Sequence, residues 1–302
     1  MSEAVLPSRS TDAEVRAGFI AGVIAYSFWG FLPLYLKLIS FADVREVLGL
    51  RILWSSPAAL IATVLMAGWR GALNDFRQAL KPRMLATLAA SALMILGNWG
   101  LYVYLVAHAR VMEASLAYFL TPLVAVGVGV AFFGEKISRW QTIALALAGF
   151  GVVVQAVALG AVPWLALAVC ASWSAYALIR KGAPVPAATG MLVETIVLAP
   201  IAVGFLAWAS QSAPLAFTQS VDHGALLALT GPATALPLML FAFSARRVSL
   251  TTLGLLQYLA PSIQFMIGYL SGEPFTPARA ASFALIWAGL ALFSWDTLRA
   301  RK

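Results

Sequence analysis

Long apolar runs, broken by short stretches that hold a proline, a glycine or a few cations, set the rhythm of this chain. A helix that crosses a bilayer needs about 20 mostly apolar residues, each rising about 1.5 Å, to traverse roughly 30 Å of hydrocarbon. By that measure the pattern predicts spans near 17–39, 47–68, 84–107, 114–134 and 140–160. A second set follows near 163–180, 188–209, 224–245, 251–271 and 279–297. The stretch 142–179 carries no charge, and as one helix it would run about 57 Å, too long for a single crossing. Gly160 and Pro163 punctuate it, so it is read as two helices joined by a tight turn. The expected class is an all-α membrane protein of ten transmembrane helices.

Residues 1–16 are polar and mixed in charge, and the apolar run from Ala17 to Ile39 is interrupted only by Lys37. That run is long enough to span, so it is read as a retained first helix rather than a cleaved leader. Residues 298–302 form the matching polar tail.

Composition agrees with the pattern. Hydrophobic residues make up 62% and charged residues 11%, against roughly 45–50% and about 25% in a soluble domain. Mean hydropathy is +0.88. The single cysteine, Cys170, excludes an intramolecular disulfide and a cysteine metal cluster. The net charge of +8 is carried by scattered cations, with no stripe that would track a nucleic acid.

The placement of those cations carries more information than their sum. With a cytoplasmic N-terminus, 15 of the 20 Lys and Arg residues fall in cytoplasmic segments. Only Lys37, Arg45, Arg110 and Arg279 lie opposite, and Arg51 falls inside a span. The positive-inside rule expects this bias, so both termini are read as cytoplasmic.

Features also recur in order along the two halves. Trp29 and Lys37 stand eight apart in the first span, as do Trp173 and Lys181 in the sixth. Arg51 precedes Pro57 by six in the second span, as Glu194 precedes Pro200 in the seventh. The fourth span carries Pro122 and ends in Gly134-Glu135, and the ninth carries Pro261 and ends in Gly272-Glu273, one residue closer. Two repeats follow, 17–160 and 161–297. Five helices is an odd number, so the halves face opposite ways across the membrane. Inverted repeats mark secondary transporters, with the binding site near midplane between the halves.

The chain has no phosphate-binding glycine loop, zinc-ligand spacing or nucleophile elbow. A nucleotide-driven pump and a hydrolase are therefore excluded, and no cofactor or metal is expected. His108 and His223 fall near helix ends and are read as solvated or capping residues. Candidates for a binding site are the deep polar and aromatic residues Trp29, Asn98, Trp99, Tyr102, Tyr118, Trp173, Tyr176, Gln257 and Tyr258. Asn98 is favoured, because a buried amide needs partners that a ligand would supply. Arg51 and Glu194 occupy repeat-related positions with opposite signs and form a candidate charge pair or gate. Trp69, Trp140, Trp164, Trp208 and Trp295 lie near span ends and are read as an interfacial belt.

The runs Gly97-Asn98-Trp99, Glu113-Ala-Ser-Leu-Ala-Tyr118-Phe, Thr189-Gly-Met-Leu-Val-Glu194-Thr and Ser249-Leu-Thr-Thr-Leu-Gly-Leu-Leu-Gln257-Tyr258 resemble the RarD-type permeases. These belong to the EamA family of the drug/metabolite transporter superfamily, and the resemblance extends from about residue 17 to 297. It implies ten helices around a central cavity in a bacterial inner membrane, and export of amino acids or similar metabolites. The RarD name is tied to chloramphenicol sensitivity, so a drug permease is an alternative expectation. A non-transporting scaffold or sensor is the reading from another class, although the short tails and loops leave little to signal with. A channel would need a filter motif or a ring of like charges, and neither is visible. The partners expected are a small-molecule substrate and the lipid bilayer.

Overall fold

The computed structural model describes residues 12–133, 137–245, 247–248, 252–253 and 256–299. Gly134-Glu135, which closes the first half of one repeat match, lies outside these residues, as does much of the start of the ninth expected span. Helices fill the described chain, which contains no strand. They are α1 (Asp12–Leu38), α2 (Val44–Ala79), α3 (Pro82–Ala107), α4 (Val111–Phe133), α5 (Arg139–Leu159) and α6 (Trp164–Lys181). After these come α7 (Ala187–Ser210), a 3-10 turn (Ala216–Thr218), α8 (Val221–Ala228), α9 (Thr230–Ala245), α10 (Leu259–Leu270) and α11 (Pro277–Arg299).

Seven helical stretches among the described residues are long and apolar enough to cross a membrane. They are Asp12–Leu38, Val44–Ala79, Pro82–Ala107, Arg139–Val157, Ala187–Ser210, Val221–Ala245 and Pro277–Asp296. Val111–Thr121, Trp164–Arg180 and Leu259–Leu270 are shorter apolar helices. Large side chains such as Ile61, Leu65, Val157 and Leu270 stand exposed around the bundle. In water this would be a severe liability; against lipid it costs nothing.

Local chemistry sets the boundaries. Asp43 caps α2 by accepting a hydrogen bond from the Arg45 backbone N–H at 2.8 Å. The Arg45 side chain also donates to this carboxylate, which holds the Asp43 carboxyl below its ordinary range. Ser138 and Gln141 form a capping box at the start of α5. Gly160 ends α5 in the left-handed region at φ 63°, where a side chain would strain the backbone. The expected break between the fifth and sixth spans is therefore present.

Two boundaries differ from expectation. The segment 70–83, read as a loop, is mostly helix. Gly68, at φ 68° and ψ 166°, breaks the α2 geometry, and the chain beyond it coils again to Ala79. Phe76 and Ala79 then pack against α7 and α3 through Val193 and Leu88, and it is this apolar anchorage that makes a helix of a polar stretch. The expected span 224–245 starts earlier, at Val221, and breaks at Leu229 between α8 and α9. Pro232 explains the break, because its ring excludes the carbonyl of residue 228 from the helical ladder.

Packing joins helices far apart in sequence. α2 lies against α7 and α9, α3 against α6, α5 against α11, α1 against α9 and α10, and α4 against α6 and α10. The α5–α11 crossing is close because Gly289 faces the Ala144 carbonyl, where a β-carbon would approach to 2.7 Å. Small residues permit such crossings in lipid, where van der Waals contact rather than water exclusion drives association.

One end of the bundle is tied shut by polar contacts between the segments 35–46, 111–112, 212–226 and 271–273. Tyr35 donates to the Leu226 carbonyl at 2.7 Å and Lys37 to Ser271 Oγ at 2.6 Å. The buried Glu46 carboxylate accepts from the Ala216 and Phe217 backbone N–H groups. Glu273 accepts in the same way from Val111 and Met112 at the start of α4.

Candidate functional site

The α2 helix carries Arg51 seven residues past its first residue, and the side chain is only 6% exposed. Its guanidinium stacks on the Trp99 ring of α3, with Cζ 4.5 Å from the centroid. Tyr118 of α4, Tyr102 of α3 and Tyr35 of α1 lie within electrostatic reach of it. No carboxylate pairs with Arg51 among the described residues, and its Nε has no hydrogen-bond partner. The buried Tyr102 hydroxyl likewise has none.

From Arg51 a file of rings runs through the molecule. Tyr102 and Tyr118 meet edge to face at 5.9 Å and Tyr118 and Trp173 of α6 at 6.2 Å, and Trp173 and Tyr176 pack tilted at 5.7 Å. Beyond it, the Tyr176 hydroxyl donates to Glu194 Oε2 of α7 at 3.4 Å. Such aromatic pairs give stiff apolar walls with hydroxyls at fixed points. The file ends on a buried cation at one side and a buried carboxylate at the other.

Glu194 and Arg51 do not pair. The ion partner of Glu194 is Arg180, with Nε 3.6 Å from Oε1, and Ser91 of α3 donates to the same oxygen. Arg180 lies in the last turn of α6, and the short connection 182–186 folds it back over α7. Its guanidinium fills the space that a side chain at Gly190 would need. Sequence reasoning counted Arg180 only among the cytoplasmic cations and so missed this contact.

Asn98 is also placed differently from the expectation that a ligand completes its hydrogen bonding. It is 1% exposed, and its amide donates to the Val169 carbonyl at 3.0 Å and to Ser172 Oγ at 3.3 Å. Its carbonyl accepts from Tyr118 at 3.2 Å. These partners lie on α4 and α6, so Asn98 braces three helices and holds Tyr118 facing Arg51. A buried amide finds its partners wherever the packing supplies them, and here neighbouring helices do.

The remaining candidates lie apart from the file. Trp29 packs with Tyr26 at 5.4 Å and with Phe241 of α9 at 6.1 Å, and its carbonyl accepts from Gln264. Gln257 and Tyr258 are half-buried just before α10, with Tyr258 in hydrogen-bonding reach of Gln257 and Ser294. Trp69, Trp164, Trp208 and Trp295 are exposed, as an interfacial belt requires. Sequence reasoning missed Tyr35, which joins Arg51 to the sealed end, and Ser91, which no pattern distinguishes from other small residues in a span. A recess of about 310 Å³ between α2 and α9 is lined by Met66, Leu236, Met239, Leu240, Phe243 and Arg247. Its walls are apolar and its one cation already lies over Phe243.

Comparison with known proteins adds kinship. Residues 16–156 match the EamA-like transporter family. The chain is 38% identical to Protein RarD of Streptomyces exfoliatus over 294 residues, covering 96% of this chain and 92% of that one. It is 35% identical to the uncharacterized transporter YojE of Bacillus subtilis, covering 96% and 97%. A solved crystal structure superimposes with a TM-score of 0.59 at 22% identity, covering 95% of this chain and 99% of that one, and shares the fold.

Proposed function

The chain belongs to the RarD-type permeases of the EamA-like transporter family, multi-pass proteins of the inner membrane, and from that premise we propose that it exports small organic solutes, foremost amino acids or related metabolites, by alternating access. The reading assigns ten transmembrane helices to two inverted halves, 17–160 and 161–297, with both termini cytoplasmic. Helix packing supports the two halves. With α1 matched to α6, α2 to α7, α3 to α8–α9, α4 to α10 and α5 to α11, the principal contacts come in mates. α3 with α6 answers α1 with α9, α4 with α6 answers α1 with α10, and α3 with α7 answers α2 with α9. The pairs α2–α7, α4–α10 and α5–α11 are their own mates.

The observation that carries the functional reading is the ring file between Arg51 and Glu194, two repeat-related charges. Buried ionisable groups within spans are costly and mark substrate paths. Mostly apolar walls with a few polar groups suit an organic solute better than an inorganic ion. The solute site is assigned to Trp99, Tyr102, Tyr118, Trp173 and Tyr176, with Asn98 bracing it; Trp29, Gln257 and Tyr258 stay outside this assignment. In this topology the sealed end faces outward, so the conformation is closed to the outside and must release those ties to export.

The test is uptake of a radiolabelled amino-acid panel into proteoliposomes of purified protein. Saturable uptake of at least one amino acid is expected. Flux of chloramphenicol without any amino acid would make it a drug permease, and no flux of any solute would leave a scaffold.

A further inference from the structure

We propose that Arg51 and Tyr102 form the recognition point for a carboxylate on the transported solute, an inference that rests on the transporter reading and narrows its substrate class. Two unpartnered buried groups lie within electrostatic reach of each other here. The Arg51 Nε and the Tyr102 hydroxyl are both enclosed and both lack a hydrogen-bond partner, whereas buried polar groups in folded proteins are nearly always satisfied. Arg51 sits on the face of Trp99 and Tyr102 lies one helical turn on, at i+3 of α3.

What Arg51 offers is donors only. A guanidinium carries five N–H donors and cannot accept, and a tyrosine hydroxyl can donate one more. Its planar fork matches a carboxylate, which takes two parallel hydrogen bonds from it. The half-buried arginine at the far end of the file, Arg180, already has Glu194; Arg51 has no carboxylate among the described residues. The walls next to it are the rings of Trp99, Tyr102 and Tyr118, so the body attached to that carboxylate is apolar or aromatic.

Arg51 also reaches the seal. Tyr35, whose ring lies in its electrostatic reach, donates to the Leu226 carbonyl across the closed end. An anion held at Arg51 therefore binds beside a contact that must break for the outer end to open.

No acidic side chain pairs with Arg51 among the described residues, so the site reads the carboxylate and not an accompanying ammonium. Three probes separate these. Phenylalanine carries both groups, 3-phenylpropionate only the carboxylate, and phenylethylamine only the ammonium. Ligand-induced thermal stabilisation of the purified protein, followed by tryptophan fluorescence, reports binding without requiring transport. Both carboxylates are expected to raise the melting temperature, and phenylethylamine is not. Arg51→Gln should abolish the shift, and Arg51→Lys should keep part of it. Tyr102→Phe removes an unpartnered hydroxyl, so the ligand-free melting temperature should not fall. Half-saturation for both carboxylates should nevertheless weaken about tenfold, the worth of one hydrogen bond to a charged group.

Because Tyr102→Phe and Arg51→Lys test the site conservatively, the result stands even if Arg51→Gln fails to fold. Stabilisation by phenylethylamine equal to that by the carboxylates would overturn the inference. So would no shift with either carboxylate, or an undiminished affinity in Tyr102→Phe and Arg51→Lys together. Uptake of uncharged solutes by the same preparation would then leave the transporter reading standing without this one.

Discussion

Removing either member of the Arg180–Glu194 pair should destabilise the protein sharply, and removing both should cost much less than the two losses added together. Arg180 and Glu194 are both largely buried, with nitrogen and oxygen 3.6 Å apart. At an effective dielectric of about 20, that separation gives a gross attraction of about 4–5 kcal/mol, most of it offset by desolvation. The exposed cost appears when one partner is lost. Arg180→Ala leaves the Glu194 carboxylate with only the Ser91 and Tyr176 hydroxyls, and loss of a partner from a buried pair costs about 3–5 kcal/mol. Glu194→Ala strands Arg180, whose Nη1 is already without a partner. The double variant removes both charges, so its loss should fall short of the sum by about 2 kcal/mol. The assay is SDS-induced unfolding in mixed micelles, followed by tryptophan fluorescence, for the wild type, both single variants and the double. Arg51→Ala with Glu194→Ala is the control and should be additive within about 0.5 kcal/mol, because those groups share no contact. Additivity for Arg180 and Glu194, or strong coupling of Arg51 to Glu194, would refute the arrangement described here.

Asn98→Leu should lower stability by about 1–3 kcal/mol, since it removes three interhelical hydrogen bonds worth about 0.6 kcal/mol each on average in membranes and strands polar partners; equal unfolding midpoints for variant and wild type would show the brace to be dispensable. Glu273→Gln should weaken the cap on α4, because a carboxamide oxygen binds backbone N–H groups less strongly than a carboxylate; faster labelling of a cysteine placed at Ser271 is the expected readout, and an unchanged rate would contradict it. For topology, single cysteines at the exposed positions Gln78 and Gln219 should differ on intact cells, with an impermeant maleimide labelling only Gln219→Cys. Labelling of Gln78→Cys alone would reverse the proposed orientation.

Much of the helical pattern was legible because lipid imposes a length on every span, and that length shows in any apolar run. The break at Gly160 was legible for a similar local reason, since glycine in the left-handed region needs no tertiary partner. The helix after Gly68 was not, because Arg70, Asn74, Asp75, Arg77 and Gln78 break up the apolar run and that helix depends on Phe76 and Ala79 finding α7 and α3. The site divides along the same line. Arg51 declared itself as a charge inside a span, and Trp99, Tyr102, Tyr118, Trp173 and Tyr176 as aromatic groups at depth. Which of them meet was not readable, since the contacts between helices join Arg51 to Trp99, Tyr102 to Tyr118 and Tyr118 to Trp173, 48, 16 and 55 positions apart. The candidate Arg51–Glu194 charge pair came from matching positions in the two expected repeats. Symmetry-related positions lie across an axis from each other and need not touch. Asn98 misled for a different reason: burial of an amide demands hydrogen bonds, but nothing in the sequence says whether a ligand or a neighbouring helix supplies them.

Alternating access is the central claim, and counterflow tests it most directly. Proteoliposomes are preloaded with an unlabelled amino acid that the uptake panel identifies as a substrate, then diluted into a trace of the same compound radiolabelled. A carrier that must reorient its site exchanges one solute for another, so the label should accumulate transiently well above its equilibrium level, and Arg51→Gln should abolish the overshoot. Label that rises only to equilibrium at a rate indifferent to preloading would indicate a channel and contradict the account.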